Sequence, residues 1–117
     1  MNLEQLFDLA PHGPDVFVGE GHEYPWGGLF GGHIVAQALR AAAYTVSPEL
    51  LPHSLRAYFI RRGDNTQPVR YEVDRIRDGK SFTTRRVVAR QQDGAILNLE
   101  ASFQVQEDSI NEQLVHP

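Results

Sequence analysis

Residues 33–45 constrain the chain more than any other stretch. Their interior holds two polar positions, Gln37 and Arg40, among Ile34, Val35, Ala38, Leu39 and Ala41 to Ala43. A helix that is apolar on nearly all sides is usually buried on nearly all sides. Its many Ala side chains let a sheet approach closely, and Ser47 and Pro48 close the segment. A chain of 117 residues has room for one domain. Whatever covers this helix therefore has to come from the flanking sequence.

That flanking sequence reads as strand. In 53–61, Leu55, Ala57 and Phe59 alternate with Ser54, Arg56 and Tyr58. In 69–77, Val69, Tyr71 and Val73 alternate with Arg70, Glu72 and Asp74. Two hairpin signals, Asp78–Gly79 and Asp93–Gly94, flank a long strand over 81–91, whose edge a lone domain would leave open, so pairing of that strand with another unit is expected. The last strand, 95–105, puts Leu97, Leu99, Ala101 and Phe103 on one face and Gln104 on the other. Upstream, 2–10 reads as a short amphipathic helix ended by residues 11–14. A first strand is expected within 15–23, and a Gly-rich loop over 24–33 with Tyr24, Trp26, Leu29 and Phe30 as anchors. Apolar rows of this kind cannot stay wet, so the sheet should curl around the helix. The expectation is an α+β fold, an antiparallel sheet wrapped around one long buried helix. It spans 1–117 as a single domain with its core at about 14–106 and a loose acidic tail at 107–117.

Composition narrows the function classes. No apolar run approaches the ~20 residues of a membrane span, and the acidic N-terminus shows no signal peptide. Without cysteine there are no disulfides, thiolate metal sites or cysteine nucleophile, which fits a cytoplasmic protein. The net charge of −4 argues against nucleic acid as a partner. The basic residues are nonetheless nearly all Arg, whose planar fork suits phosphates and carboxylates. They cluster at Arg61–Arg62, Arg75/Arg77 and Arg85–Arg86/Arg90.

Four stretches in order, 28–39, 53–64, 77–91 and 101–104, resemble the acyl-CoA thioesterase II family. The resemblance implies a hotdog fold, the name for a sheet curled around one helix. It also implies hydrolysis of fatty acyl-CoA to a free fatty acid and CoA. That family carries two hotdog units in one chain, and this sequence resembles the first. The implied partners are an acyl-CoA substrate and either further copies, as a dimer or tetramer, or a second hotdog unit. No metal or cofactor is implied. Two alternatives stand beside this: the catalytically incomplete first half of a split or truncated enzyme, and a non-catalytic acyl-CoA binding module.

Thioester hydrolysis needs a donor for the developing oxyanion, a group that aims a water, and cations for the CoA phosphates. Gly31 and Gly32 are candidates for the donor, through backbone N–H groups at a helix start. A tight turn explains the same glycines, and the two readings are compatible. His33 is a candidate for positioning water or donating to the carbonyl, against a capping or buried hydrogen-bonded histidine. Gln104 stands where the first unit has its counterpart of the family's catalytic Gln, and a neutral amide orients water without titrating. Asp64 is the candidate base, although an Asp in such a turn commonly serves local hydrogen bonding. Arg85 and Arg86 are candidates for the phosphates, with Ser81 along the pantetheine arm. Phe30 is a candidate for lining the acyl channel. Opposed to these are an ion-paired strand face, routine strand hydroxyls and a core plug.

Overall fold

A computed structural model describes residues 9–20 and 29–105, with the backbone only of Leu29 and Phe30. The elements run β1 (Ala10–Pro11), β2 (Val16–Gly19), α1 (Leu29–Tyr44), β3 (Leu50–Phe59), β4 (Val69–Asp78), β5 (Phe82–Gln91) and β6 (Gly94–Val105). The strands form one antiparallel sheet in the order β1-β2-β4-β5-β6-β3. The expected helix and strands are therefore present. Residues 2–8 of the expected first helix lie outside the described residues, and Ala10, its expected end, is strand paired with Val18.

The hairpin signals hold for a local reason. At the β4–β5 turn the Gly79 N–H donates to the Phe82 carbonyl, 2.8 Å away, and a Cβ on Gly79 would press on that same oxygen. At the β5–β6 turn Gly94 has φ +121°, a conformation that an L side chain rarely adopts. After the second turn β6 presents Leu97, Leu99, Ala101 and Phe103 to the helix, all at most 1% exposed. Ile34, Ala38, Ala41 and Ala42 are the buried stripe that meets them. Burial of the helix is one-sided, since Arg40, Ala43 and Tyr44 are exposed.

Two polar links cross this core. The Tyr71 hydroxyl donates to Gln37 Oε1 at 2.6 Å, joining β4 to the helix. A Cβ on Gly19 would overlap the Gln37 amide, so β2 passes close to the helix because that position lacks a side chain. The second link is Arg85, described below.

The open edge is not where the sequence suggested. The stretch 81–91 looked like an unpaired edge needing a partner. Instead β5 is interior, hydrogen-bonded to β4 on one side and β6 on the other. The long strand left open is β3, which pairs with β6 alone among the described residues. All of β3 after Leu50 is exposed, including Leu51, Leu55, Tyr58 and Phe59.

Candidate active site

The helix begins at Leu29, four residues earlier than the sequence suggested. Gly31 and Gly32 thus sit in its first turn rather than in a loop before it. The first four N–H groups of a helix have no partner within the helix. Gly31, the third helical residue, belongs to that set, and Gly32, the fourth, begins the hydrogen-bonded ladder. Gly31 lies against the Phe59 ring, and a Cβ there would come within 3.3 Å of it. A Cβ on Gly32 would meet nothing within 4 Å among the described residues.

A cleft of about 550 Å³ opens at this end of the helix. It is lined by Gly31 and Ile34 of the helix, Phe59 and Ile60 at the end of β3, and Arg61, Arg62, Gly63 and Asn65 of the rim loop that follows. The Arg61 Nη1 donates to the Asp93 carbonyl in the β5–β6 turn. Gln91 pins the rim loop from the side. It accepts from the Asp64 N–H at 2.8 Å and donates to the Asp64 carbonyl at 2.6 Å.

Asp64 is beside the cleft, but its carboxylate is turned into its own loop. It accepts from the Thr66 hydroxyl at 2.6 Å, the Thr66 N–H at 2.9 Å and the Gln67 amide at 3.2 Å. Those bonds, that from the Thr66 side chain foremost, hold its carboxyl below the ordinary 3.8. A more acidic carboxyl is a poorer base, so the proposed base role for Asp64 is corrected to that of a turn former. His33 is 7% exposed and shares its helix face with Gln37, one turn on.

The other candidates lie elsewhere. Seven residues of β6 separate Leu97, opposite Phe59, from Gln104, which at ~3.3 Å per residue is roughly 20 Å. Gln104 is flanked by Leu51 and Phe82, and the Ser81 carbonyl accepts from the Val105 N–H at 3.3 Å. One chain therefore gathers Gly31, Gly32 and His33 at one end and Ser81 and Gln104 at the other. Arg86 is on the sheet's far face, in a cross-strand row between Asp74 and Glu100. The side chain of Phe30 lies outside the described residues.

Arg85 requires a second correction. It is 1% exposed, and its five N–H donors are all engaged. Nε bonds the Thr45 hydroxyl at 2.7 Å. Nη2 bonds the Thr45 carbonyl at 3.0 Å and Asp78 Oδ1 at 2.7 Å. Nη1 bonds the Arg77 and Thr84 carbonyls. No donor remains for a phosphate. Sequence reasoning also missed Phe59, Ile60, Arg61 and Arg62 as cleft residues. The paired arginines at the end of a strand were the available signal.

Residues 22–104 match the family described as the acyl-CoA thioesterase N-terminal domain. Acyl-coenzyme A thioesterase 8 of Homo sapiens is 46% identical over 99 residues, 85% of this chain and 31% of its own length. Acyl-CoA thioesterase 2 of Haemophilus influenzae is 36% identical over 117 residues, 100% of this chain and 39% of its own. The crystal structure of an acyl-CoA thioesterase II from Mycobacterium marinum superimposes with a TM-score of 0.81 and 39% identity. It covers 92% of this chain and 39% of that one. The chain thus spans about a third of the length of the curated relatives.

Proposed function

This chain belongs to the acyl-CoA thioesterase N-terminal domain family, and from that premise we propose that it hydrolyses fatty acyl-CoA at a site completed by a second hotdog unit. Water adds to the thioester carbonyl, the C–S bond breaks, and the sulfur leaves as CoA thiol with a proton. The observation carrying this reading is the cleft at the helix start, where the first-turn backbone N–H of Gly31 lies among the apolar side chains of Ile34, Phe59 and Ile60. Such donors stabilise the oxyanion that forms during addition. His33 and Gln104 are the groups proposed to position water.

Sharing of the site follows from the roughly 20 Å between its two ends. An antiparallel pairing along β3 sets the Gln104 end of one unit beside the Phe59 end of another. The exposed apolar residues of β3 support such pairing. The second unit is a copy of this chain or an unlike hotdog unit. A place in fatty acid metabolism belongs to the same proposal and rests on the resemblance, and a cytoplasmic location rests on the cysteine-free sequence.

A second reading, a non-catalytic acyl-CoA binding module, is favoured by one observation. No carboxylate lines the cleft among the described residues. A free-thiol assay with short, medium and long acyl-CoAs decides between them. Turnover is expected, and His33→Ala and Gln104→Ala should each lower it by on the order of tenfold or more. Folded protein that binds CoA without turnover supports the binding module. Turnover that appears only when a second hotdog protein is added identifies this chain as half of a split enzyme. If both variants keep the full rate, the positions assigned to them are wrong.

A further inference from the structure

The face of the sheet turned away from the helix carries charges that the chain leaves unused. The strand registers align Arg56 on β3, Glu100 on β6, Arg86 on β5 and Asp74 on β4 in one row across four strands. All four residues are exposed, and their signs alternate. None of them closes an ion pair or a hydrogen bond among the described residues. Carboxylates nearby behave differently. Glu72, one row on, is bonded by Arg90 Nε at 2.8 Å and lies 3.3 Å from Arg70 Nε, and Asp15 is held by Arg75. The row is thus four charges in a fixed order, one per strand and about 4.8 Å apart, whose partners the chain does not supply.

The order of signs makes the row its own complement. Reversal turns plus, minus, plus, minus into minus, plus, minus, plus. A twofold axis parallel to the strands, between β5 and β6, performs that reversal for a second copy stacked face to face. Arg56 then meets Asp74 of the second copy, and Glu100 meets its Arg86. The other twofold in the plane of the face, along the row itself, sets each charge over its own image and is disfavoured. In the flanking rows the first axis brings Tyr58 over Glu72 and Ser54 over Arg77, so like charges meet in none of the three rows. Stacked sheets keep their strands within about 30° of each other, so the pairs nearest the axis hold register best. We propose that this face is a contact between two copies of the chain, related by a twofold parallel to the strands and matched through Glu100–Arg86 and Arg56–Asp74 pairs. Four strands cover roughly 500 Å² per copy, the low end for a specific interface, so the association is weak. The contact uses neither the β3 edge nor the cleft and does not depend on the thioesterase reading.

Sedimentation equilibrium of the chain carrying Leu55→Lys, which weakens pairing along β3, isolates this face. Concentration-dependent self-association is expected to remain in that variant. Adding Arg86→Glu or Glu100→Arg should raise the dissociation constant about tenfold, because each sets like charges opposite one another at two symmetric places. The first makes the net charge more negative and the second less negative, so general repulsion would move them in opposite directions. Both substitutions on one chain restore opposite signs and the original net charge, and association should return to within about threefold of the starting variant. An equimolar mixture of the two charge variants should associate as well, since its cross-pairs are again opposite. If Leu55→Lys does not fold, the same comparisons are made in the parent chain. Protein that stays monomeric up to about millimolar concentration overturns the inference. So does a charge variant that associates as tightly as its starting protein, or a double variant as weak as either single one.

Discussion

Arg85 and Gly32 illustrate how a side chain and its absence are used in this chain. Arg85 joins the end of the helix, through Thr45, to the β4–β5 hairpin, through Arg77 and Asp78. Arg85→Ala should therefore destabilise the fold by about 2–4 kcal/mol, because buried carbonyls lose their donors. Arg85→Lys should recover little, since one ammonium cannot reproduce a five-donor fork. Urea unfolding checks both, and CoA affinity of the folded protein should not follow the loss. Gly32 predicts the opposite pattern. Gly32→Ala has space for its Cβ and gains up to about 1 kcal/mol of helix propensity. If substrate approaches that backbone, the stabilised variant should lose turnover. A thermal melt beside a thiol-release rate reads both effects, and a variant that is more stable and equally active removes Gly32 from the site. The Arg motif was legible in the sequence, but the commitment of Arg85 was not. Periodicity assigns a face, and only packing shows which donors the interior has already taken.

Among the elements, β2 is short and depends on a side-chain link to β4. Asp15, with φ 57°, receives two hydrogen bonds from Arg75, from Nε at 2.8 Å and Nη2 at 3.0 Å. The Asp15 carbonyl also accepts from the Val73 N–H at 2.9 Å. The hydrogen bond from Arg75 holds the Asp15 carboxyl below the ordinary 3.8. A folded-state value below the unfolded one stabilises the fold fully above that ordinary value. The contribution is lost as the pH falls through the lowered folded value. Asp15→Asn tolerates the same backbone and should cost up to about 1 kcal/mol near neutral pH. The gap to the parent should close below about pH 4 in denaturant titrations. A gap that is constant with pH would show that the ion pair adds nothing. The helix start was misread for a related reason. Glycine weakens a helix interior, but Gly31, the third helical residue, has no ladder bond to make, so the first turn tolerates it.

For the whole molecule, the decisive feature is the uncovered strand β3. Leu55 faces the same side as the buried Ala101, its partner on β6, yet is 47% exposed. Leu55→Lys should leave the monomer folded, because nothing buried is lost, and should weaken association along that edge. Sedimentation over a range of concentrations checks this, and unchanged association would move the interface elsewhere. The sequence by itself determined the buried helix, the two Gly-based hairpins and the inward row of β6. Each depends on spacing within a few residues, where periods of 3.6 and 2 and the φ demands of turns are local properties. Only the tertiary structure decided that β5 is interior and β3 is the edge, because strand order is set by contacts between distant segments. It alone put Arg61 and Arg62 among the residues lining the cleft and Gln104 at the far end of β6. Those relations depend on how the sheet bends and on which residues the helix start meets, and no spacing along the chain encodes them.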